Sequence, residues 1–126
     1  MLVPFPKMVE EAKTQIQEVS TEKLAQLDPA SQLLVDVREP NETASGTIEG
    51  AYCVPRGILE GNVMELASKH LGNVSADSPI YLFCRSGARS AMAALSLQQM
   101  GFTKVYSMAG GMLAWEQEKR PVVAPR

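Results

Sequence analysis

Histidine is nearly absent from this chain, and cysteine is scarce. The 126 residues hold one histidine, His70, and two cysteines, Cys53 and Cys84. With one imidazole and no Cys/His cluster at ligand spacing, no metal centre is expected, and no motif asks for a cofactor. Two cysteines are too few for a disulfide framework. Their flanks also argue against pairing, because Cys53 lies in the apolar run Ala51-Tyr52-Cys53-Val54 whereas Cys84 opens a polar loop. Strong charge of either sign is missing too. A formal net charge of -2 leaves no electrostatic footprint for nucleic acid or a membrane surface. No apolar run is long enough to span a bilayer. Met1-Leu2-Val3-Pro4-Phe5-Pro6-Lys7 lacks the basic start and apolar core of a secretory signal, so a cytoplasmic location is expected. There is no internal repeat, low-complexity tract or linker.

What is present suits one core. Met8, Val9, Ala12, Ile16 and Val19 recur at helical spacing, which predicts an amphipathic helix from Pro6 to about Val19. A short helix follows from Ser20 to Leu27, with Thr21 as its expected cap and Asp28-Pro29 as its stop. Leu33 to Val37, Ala51 to Val54, Pro79 to Phe83 and Lys104 to Ser107 read as short buried strands. Between them lie a helical turn after Pro40, a helical pattern from Ile58 to His70 interrupted at Gly61-Asn62, and helices over Arg89 to Met100 and Met112 to Lys119. Short apolar strands separated by helices predict an α/β domain with a mainly parallel sheet covered on both faces.

In such sheets functional groups gather at the carboxyl ends of the strands, where Asp36, Arg38 and Cys84 all fall. Cys84 ends the apolar run Tyr81-Leu82-Phe83 and opens the loop Arg85-Ser86-Gly87-Ala88-Arg89-Ser90 before a helix. Successive amides in a tight loop, together with the helix N-terminus, form a nest that favours an anion, and the thiolate is the nucleophilic form of cysteine. Gly87 permits an unusual backbone angle. Ser86 and Ser90 offer hydroxyl donors, and Arg85 and Arg89 offer paired N–H donors for an anionic group. Most free cysteines are inert small hydrophobes. The Arg/Ser/Gly surroundings of Cys84 instead predict an electropositive, partly exposed thiol.

The shortage of histidine narrows the chemistry. A cysteine protease needs an imidazole to activate the thiol and protonate the leaving amine. His70, in Ser68-Lys69-His70-Leu71 near a helix end, has nothing to tie it to Cys84. Sulfur transfer and phosphate-ester cleavage remain. Four residues separate Cys84 from Arg89, one fewer than in the cysteine phosphatase signature, and the smaller ring suits a single sulfur better than a phosphoryl group.

The sequence resembles a single-domain rhodanese, a sulfurtransferase family. The resemblance rests on Leu34-Val35-Asp36-Val37-Arg38-Glu39, on Glu42 with Gly46-Thr47-Ile48-Glu49-Gly50-Ala51, and on the loop Cys84 to Ser90. Gly101-Phe102, Val105-Tyr106 and Gly110-Gly111-Met112-Leu113-Ala114-Trp115 complete it. It implies a three-layer α/β/α rhodanese-like domain over 20–126; the N-terminal helical extension over 1–19 is the part the family explains least, and it is expected to cover a sheet edge or dock a partner. It further implies that Cys84 takes sulfur from thiosulfate or a low-molecular-weight persulfide and passes it to a thiol, to cyanide or to a sulfur-relay protein. The loop amides from Arg85 through Ser86, Gly87 and Ala88 to Arg89 would cradle the persulfide. A sulfur carrier with weak small-molecule turnover is the alternative. Thr47 departs from the histidine that many members carry there. Asp36 and Arg38 either orient the active loop through hydrogen bonds, as the resemblance implies, or form a surface ion pair with Glu39 or Glu42. Cys53 is expected in the core rather than as a resolving thiol, and Trp115 is expected in the core.

Overall fold

The apolar runs join one parallel sheet in the computed structural model, which describes residues 1–126. Strands β1 (Gln17–Val19), β2 (Leu33–Asp36), β3 (Tyr52–Cys53), β4 (Ile80–Phe83) and β5 (Val105–Met108) lie in the order β1-β5-β4-β2-β3. Every neighbouring pair is parallel. The helices are α1 (Phe5–Lys13), α2 (Thr21–Ala25), α3 (Pro40–Thr43), α4 (Leu59–Leu71), α5 (Ala88–Gln99) and α6 (Gly111–Gln117).

The two-residue pleat period sends alternate side chains to opposite faces and builds two cores. Leu33, Val35, Ile80, Leu82, Cys84 and Val105 pack with Leu59, Val63 and Ala67 of α4 and Ala93, Ala94 and Leu97 of α5. Leu34, Tyr81, Phe83 and Met108 pack on the other face with Leu24 of α2 and Met112 and Trp115 of α6. The three-layer α/β/α expectation holds. Trp115 is buried as expected, its indole Nε1–H donating to the Pro121 carbonyl at 2.8 Å.

Three local expectations are corrected. The N-terminal helix ends at Lys13, not near Val19, and Gln17–Val19 is the edge strand β1, paired with Tyr106, Ser107 and Met108 of β5. The apolar spacing of Ile16 and Val19 continues the helical pattern by coincidence, and exposed polar residues suit an edge strand as well as a helix. α1 remains part of the packed body, with Val9 and Ala12 buried. Gly61-Asn62 does not interrupt α4, because the buried row Leu59, Val63 and Ala67 outweighs a mid-helix glycine penalty of about 1 kcal/mol. Ser20, not Thr21, caps α2, its Oγ accepting from the Lys23 amide at 3.0 Å, while Thr21 Oγ1 donates to Glu118 at 2.6 Å. No helix is long and apolar enough to cross a membrane.

From β2 the chain moves outward to β3, and from β4 it moves the opposite way to β5. The crevice at the carboxyl ends of β2 and β4 is therefore where the strand order reverses, the usual binding position in open α/β sheets. Cys84 follows β4 directly.

Candidate active site

The turn from β4 into α5 folds around the Cys84 sulfur. Sγ accepts the Gly87 amide at 3.1 Å and the Ser90 amide at 3.4 Å, and Ser90 Oγ lies 3.5 Å away. Gly87 holds φ +99, a left-handed conformation that turns its amide inward with little strain. Of the loop residues named from the sequence, Gly87 and Ser90 meet the sulfur, whereas Arg85 and Ser86 are exposed. Cys84 itself is 1% exposed, so the partly exposed thiol expected from the sequence is corrected: the loop closes over its own cysteine.

What draws the loop inward comes from α6. The Met112 amide donates to the Cys84 carbonyl at 2.9 Å and the Leu113 amide to the Arg85 carbonyl at 3.0 Å. These free amides of the first helical turn engage the loop's carbonyls, leaving the loop's own amides for the sulfur. Only glycine fits at the junction. A Cβ on Gly111, which has φ +55, would stand 2.6 Å from the Cys84 carbonyl oxygen and closer still to that of Arg85. The Gly110-Gly111 pair was the one sequence signal for this packing, and it reads equally well as a plain helix start.

The two arginines have different fates. Arg89 is held by Glu42, with Nη1 and Nη2 donating to the two carboxylate oxygens at 2.7 and 2.8 Å. Glu42 Oε2 also accepts the Glu39 amide at 2.9 Å. The hydrogen bonds from Arg89 hold the Glu42 carboxyl down at about 2, and Glu42 in turn raises the Arg89 pKa. Arg85 enters none of the ion pairs. Sequence alone does not reveal the Glu42–Arg89 pair, because 47 residues separate its partners.

A pH prediction follows from Glu42. Its folded carboxyl titrates below the usual value of 4.5, so the pair stabilises the fold above that value and loses its effect as pH falls through about 2. A bidentate pair this exposed contributes about 1 kcal/mol at most. The gap in thermal unfolding midpoint between wild type and Glu42→Gln should therefore be present at neutral pH and close between pH 4.5 and 2. A gap that stayed constant with pH would assign the difference to some other effect.

Asp36 and Arg38 are buried and reach the Cys84 loop only indirectly, through Glu42. Arg38 is 6% exposed and Asp36 fully buried, so theirs is no surface pair. Arg38 Nη2 and Nε donate to Asp36 at 2.7 and 3.0 Å, Nη2 also donates to the Gly46 carbonyl at 2.7 Å, and Thr47 Oγ1 donates to Asp36 at 2.7 Å. Burial alone would lower the Arg38 pKa, but the hydrogen bond and charge of Asp36 outweigh it and the net shift is upward. Neither side chain bonds the Cys84 loop. Asp36 pairs in register with Phe83, whose side chain lies in the core opposite that of Cys84. Arg38 Nη1 instead reaches the Glu42 carbonyl at 3.5 Å, so the pair braces the α3 turn that presents Glu42 to Arg89.

The remaining polar candidates are accounted for. His70 Nε2 lies 2.7 Å from the Pro29 carbonyl and Nδ1 lies 2.9 Å from the Tyr52 hydroxyl. The carbonyl only accepts, so Nε2 carries a proton and donates to it. Cys53 is half-buried, and burial followed by the Asp36 charge pushes its thiol up. Strand β2 separates Cys53 on β3 from Cys84 beyond β4. Two strand spacings amount to roughly 10 Å, too far for a disulfide in this conformation.

Fold and site together define a parallel α/β domain that presents an amide-nested cysteine at the centre of its sheet, without a nearby imidazole. A family model for the rhodanese-like domain matches residues 19–118, and the chain belongs to that family. A relative named sulfurtransferase, from Allochromatium vinosum, is 36% identical over 112 residues, covering 87% of this chain and 97% of that protein. Among solved structures, the polysulfide-sulfur transferase homodimer of Wolinella succinogenes aligns with TM-score 0.73 and 30% identity over 95% of this chain and 87% of its own. A Rhodopseudomonas palustris protein of unknown function, described as a possible tyrosine phosphatase, aligns with TM-score 0.79 and 27% identity over 98% of this chain and 96% of its own.

Proposed function

We propose that the chain moves sulfane sulfur through a persulfide on Cys84, taking it from thiosulfate or a low-molecular-weight persulfide and delivering it to a thiol or to cyanide. The observation that carries this reading is the Cys84 sulfur accepting the Gly87 and Ser90 amides at the head of α5. In the first step the thiolate attacks the outer sulfur of thiosulfate. A bond forms between the two sulfurs, the bond to the sulfonate breaks, and sulfite leaves with the electron pair. In the second step the acceptor's lone pair attacks the outer sulfur of the persulfide, and the electrons of the S–S bond return to Cys84 as thiolate. Neither leaving group needs a proton, which fits the absence of a general acid beside the sulfur.

Arg85, free of ion pairs, is assigned to the anionic end of the donor. Arg89, occupied by Glu42, is assigned to holding the first turn of α5 in place, with Asp36 and Arg38 supporting it through α3. The two free cysteines suit a reducing compartment, and we assign the protein to the cytoplasm. The phosphatase reading is disfavoured by the four-residue gap between Cys84 and Arg89 and by the commitment of Arg89, the arginine at the far end of the loop, to a carboxylate.

Intact mass after incubation with thiosulfate tests the reading, the expected result being a gain of one sulfur that cyanide then removes as thiocyanate. An unchanged mass, with loading only from a protein persulfide donor, would replace it by the carrier reading. Turnover of an aryl phosphate would replace it by the phosphatase reading.

A further inference from the structure

One buried hydroxyl of the loop lies beside Cys84, and a second, from outside the loop, lies behind the first. Ser90 Oγ is 3.5 Å from the sulfur, and Ser107 Oγ is 2.8 Å from Ser90 Oγ. Both serines are fully buried. Ser107 comes from β5, in register with Leu82 of β4, and so projects toward the face where Cys84 and α5 lie. Ser90 is the one hydrogen-bonding partner of its hydroxyl. A hydroxyl sealed in a sheet with a single partner is costly to keep unless that partner uses it.

Counting protons shows what the arrangement favours. With Cys84 as thiolate, Ser107 O–H donates to Ser90 Oγ and Ser90 O–H donates to the sulfur, so both hydroxyl protons are used. With Cys84 as thiol there are three protons. The S–H then donates to Ser90 Oγ, Ser90 O–H turns to Ser107 Oγ, and the Ser107 proton has no acceptor. Whichever way that chain runs, one proton is idle. In the persulfide, Sγ again carries no proton, and the chain runs as it does for the thiolate. A hydrogen-bond chain pointing one way also polarises each member, strengthening the last donation.

We infer that Ser107 is a positioning residue for the sulfur, acting through Ser90 to keep a hydroxyl proton directed at Cys84 Sγ in both halves of the transfer cycle. The inference rests on the reading of Cys84 as the sulfur carrier. Its test is the rate of Cys84 alkylation by iodoacetamide at neutral pH, followed by peptide mass so that Cys53 is scored separately. Ser107→Ala removes one oxygen and adds no volume, and should slow alkylation about fivefold, the scale expected for weakening one bond to a charged acceptor. Loss of folding would have the opposite sign, because it would expose Cys84 and speed alkylation. Ser90→Ala should slow alkylation at least as much, and Ser90→Ala/Ser107→Ala should match Ser90→Ala alone, since Ser107 reaches the sulfur only through Ser90. An unchanged rate in Ser107→Ala, or an equal further slowing on the Ser90→Ala background, would overturn the inference. Sulfur loading of the wild type from thiosulfate is scored in parallel. Failure of loading alone would remove the transfer reading and leave the chain's effect on the thiol standing.

Discussion

Cys84→Ser should abolish sulfur loading while leaving the fold intact. Serine is smaller than cysteine, and its Oγ can accept the same Gly87 and Ser90 amides that the sulfur accepts. The hydroxyl stays protonated at neutral pH unless a base takes its proton, and the one histidine, on α4, is bonded to Tyr52 of β3 and to the Pro29 carbonyl in the turn after α2. No rescue by an adjacent base is available. Intact mass after thiosulfate treatment should show no added sulfur, and the far-ultraviolet circular dichroism should match the wild type. The companion variant Cys53→Ser should load like the wild type, because β2 stands between the two thiols. Sulfur found on Cys84→Ser, or a Cys53→Ser variant that fails to load, would assign the chemistry elsewhere.

The second large effect is expected at a residue that touches neither the sulfur nor any substrate. Gly111→Ala puts a methyl group 2.6 Å from the Cys84 carbonyl oxygen, against backbone that has no room to yield without carrying the loop along. The left-handed conformation at φ +55 adds strain for any side chain. Moving the loop also breaks the bonds from Met112 and Leu113 to the Cys84 and Arg85 carbonyls. Strain of this kind costs about 1–3 kcal/mol, and each hydrogen bond lost adds about 1 kcal/mol. A destabilisation of about 3 kcal/mol in denaturant unfolding is expected. Sulfur loading should slow about a hundredfold, the scale of losing one preorganised donor. Gly57→Ala is the control, since a Cβ there meets nothing within 4 Å and the position is exposed. If Gly111→Ala loaded sulfur at the wild-type rate, the α6 contact would not be what shapes the loop.

Much of this architecture was legible in the chain, and the illegible parts share a cause. Strands β2, β4 and β5 announced themselves through short apolar runs, because strands buried on both faces of a parallel sheet have few polar positions to offer. Strand β1 did not, since Gln17, Glu18 and Val19 sit at an edge and are only partly covered. At the site, Gly87 and Ser90 were readable because they are local to Cys84, and local geometry follows from local sequence. Glu42, Gly111 and Ser107 reach that loop from three other elements, and apart from the Gly110-Gly111 pair nothing in their flanking residues hints at it.

Three properties could be read along the chain: one thiol ends a buried strand beside amides and arginines, no histidine accompanies it, and helices alternate with parallel strands. Those properties reside in composition, spacing and nearest neighbours along the chain. Which groups surround the sulfur depends instead on how the chain folds back on itself. Asp36, Arg38 and Cys84 all stand at strand ends, but the two-residue pleat places the side chains of Asp36 and Cys84 on opposite faces of the sheet. Arg85 and Arg89 look equivalent in sequence, yet a carboxylate 47 residues away occupies one and leaves the other open. Packing between distant segments made that choice, because hydrogen-bond partners are set by position in space rather than by distance along the chain.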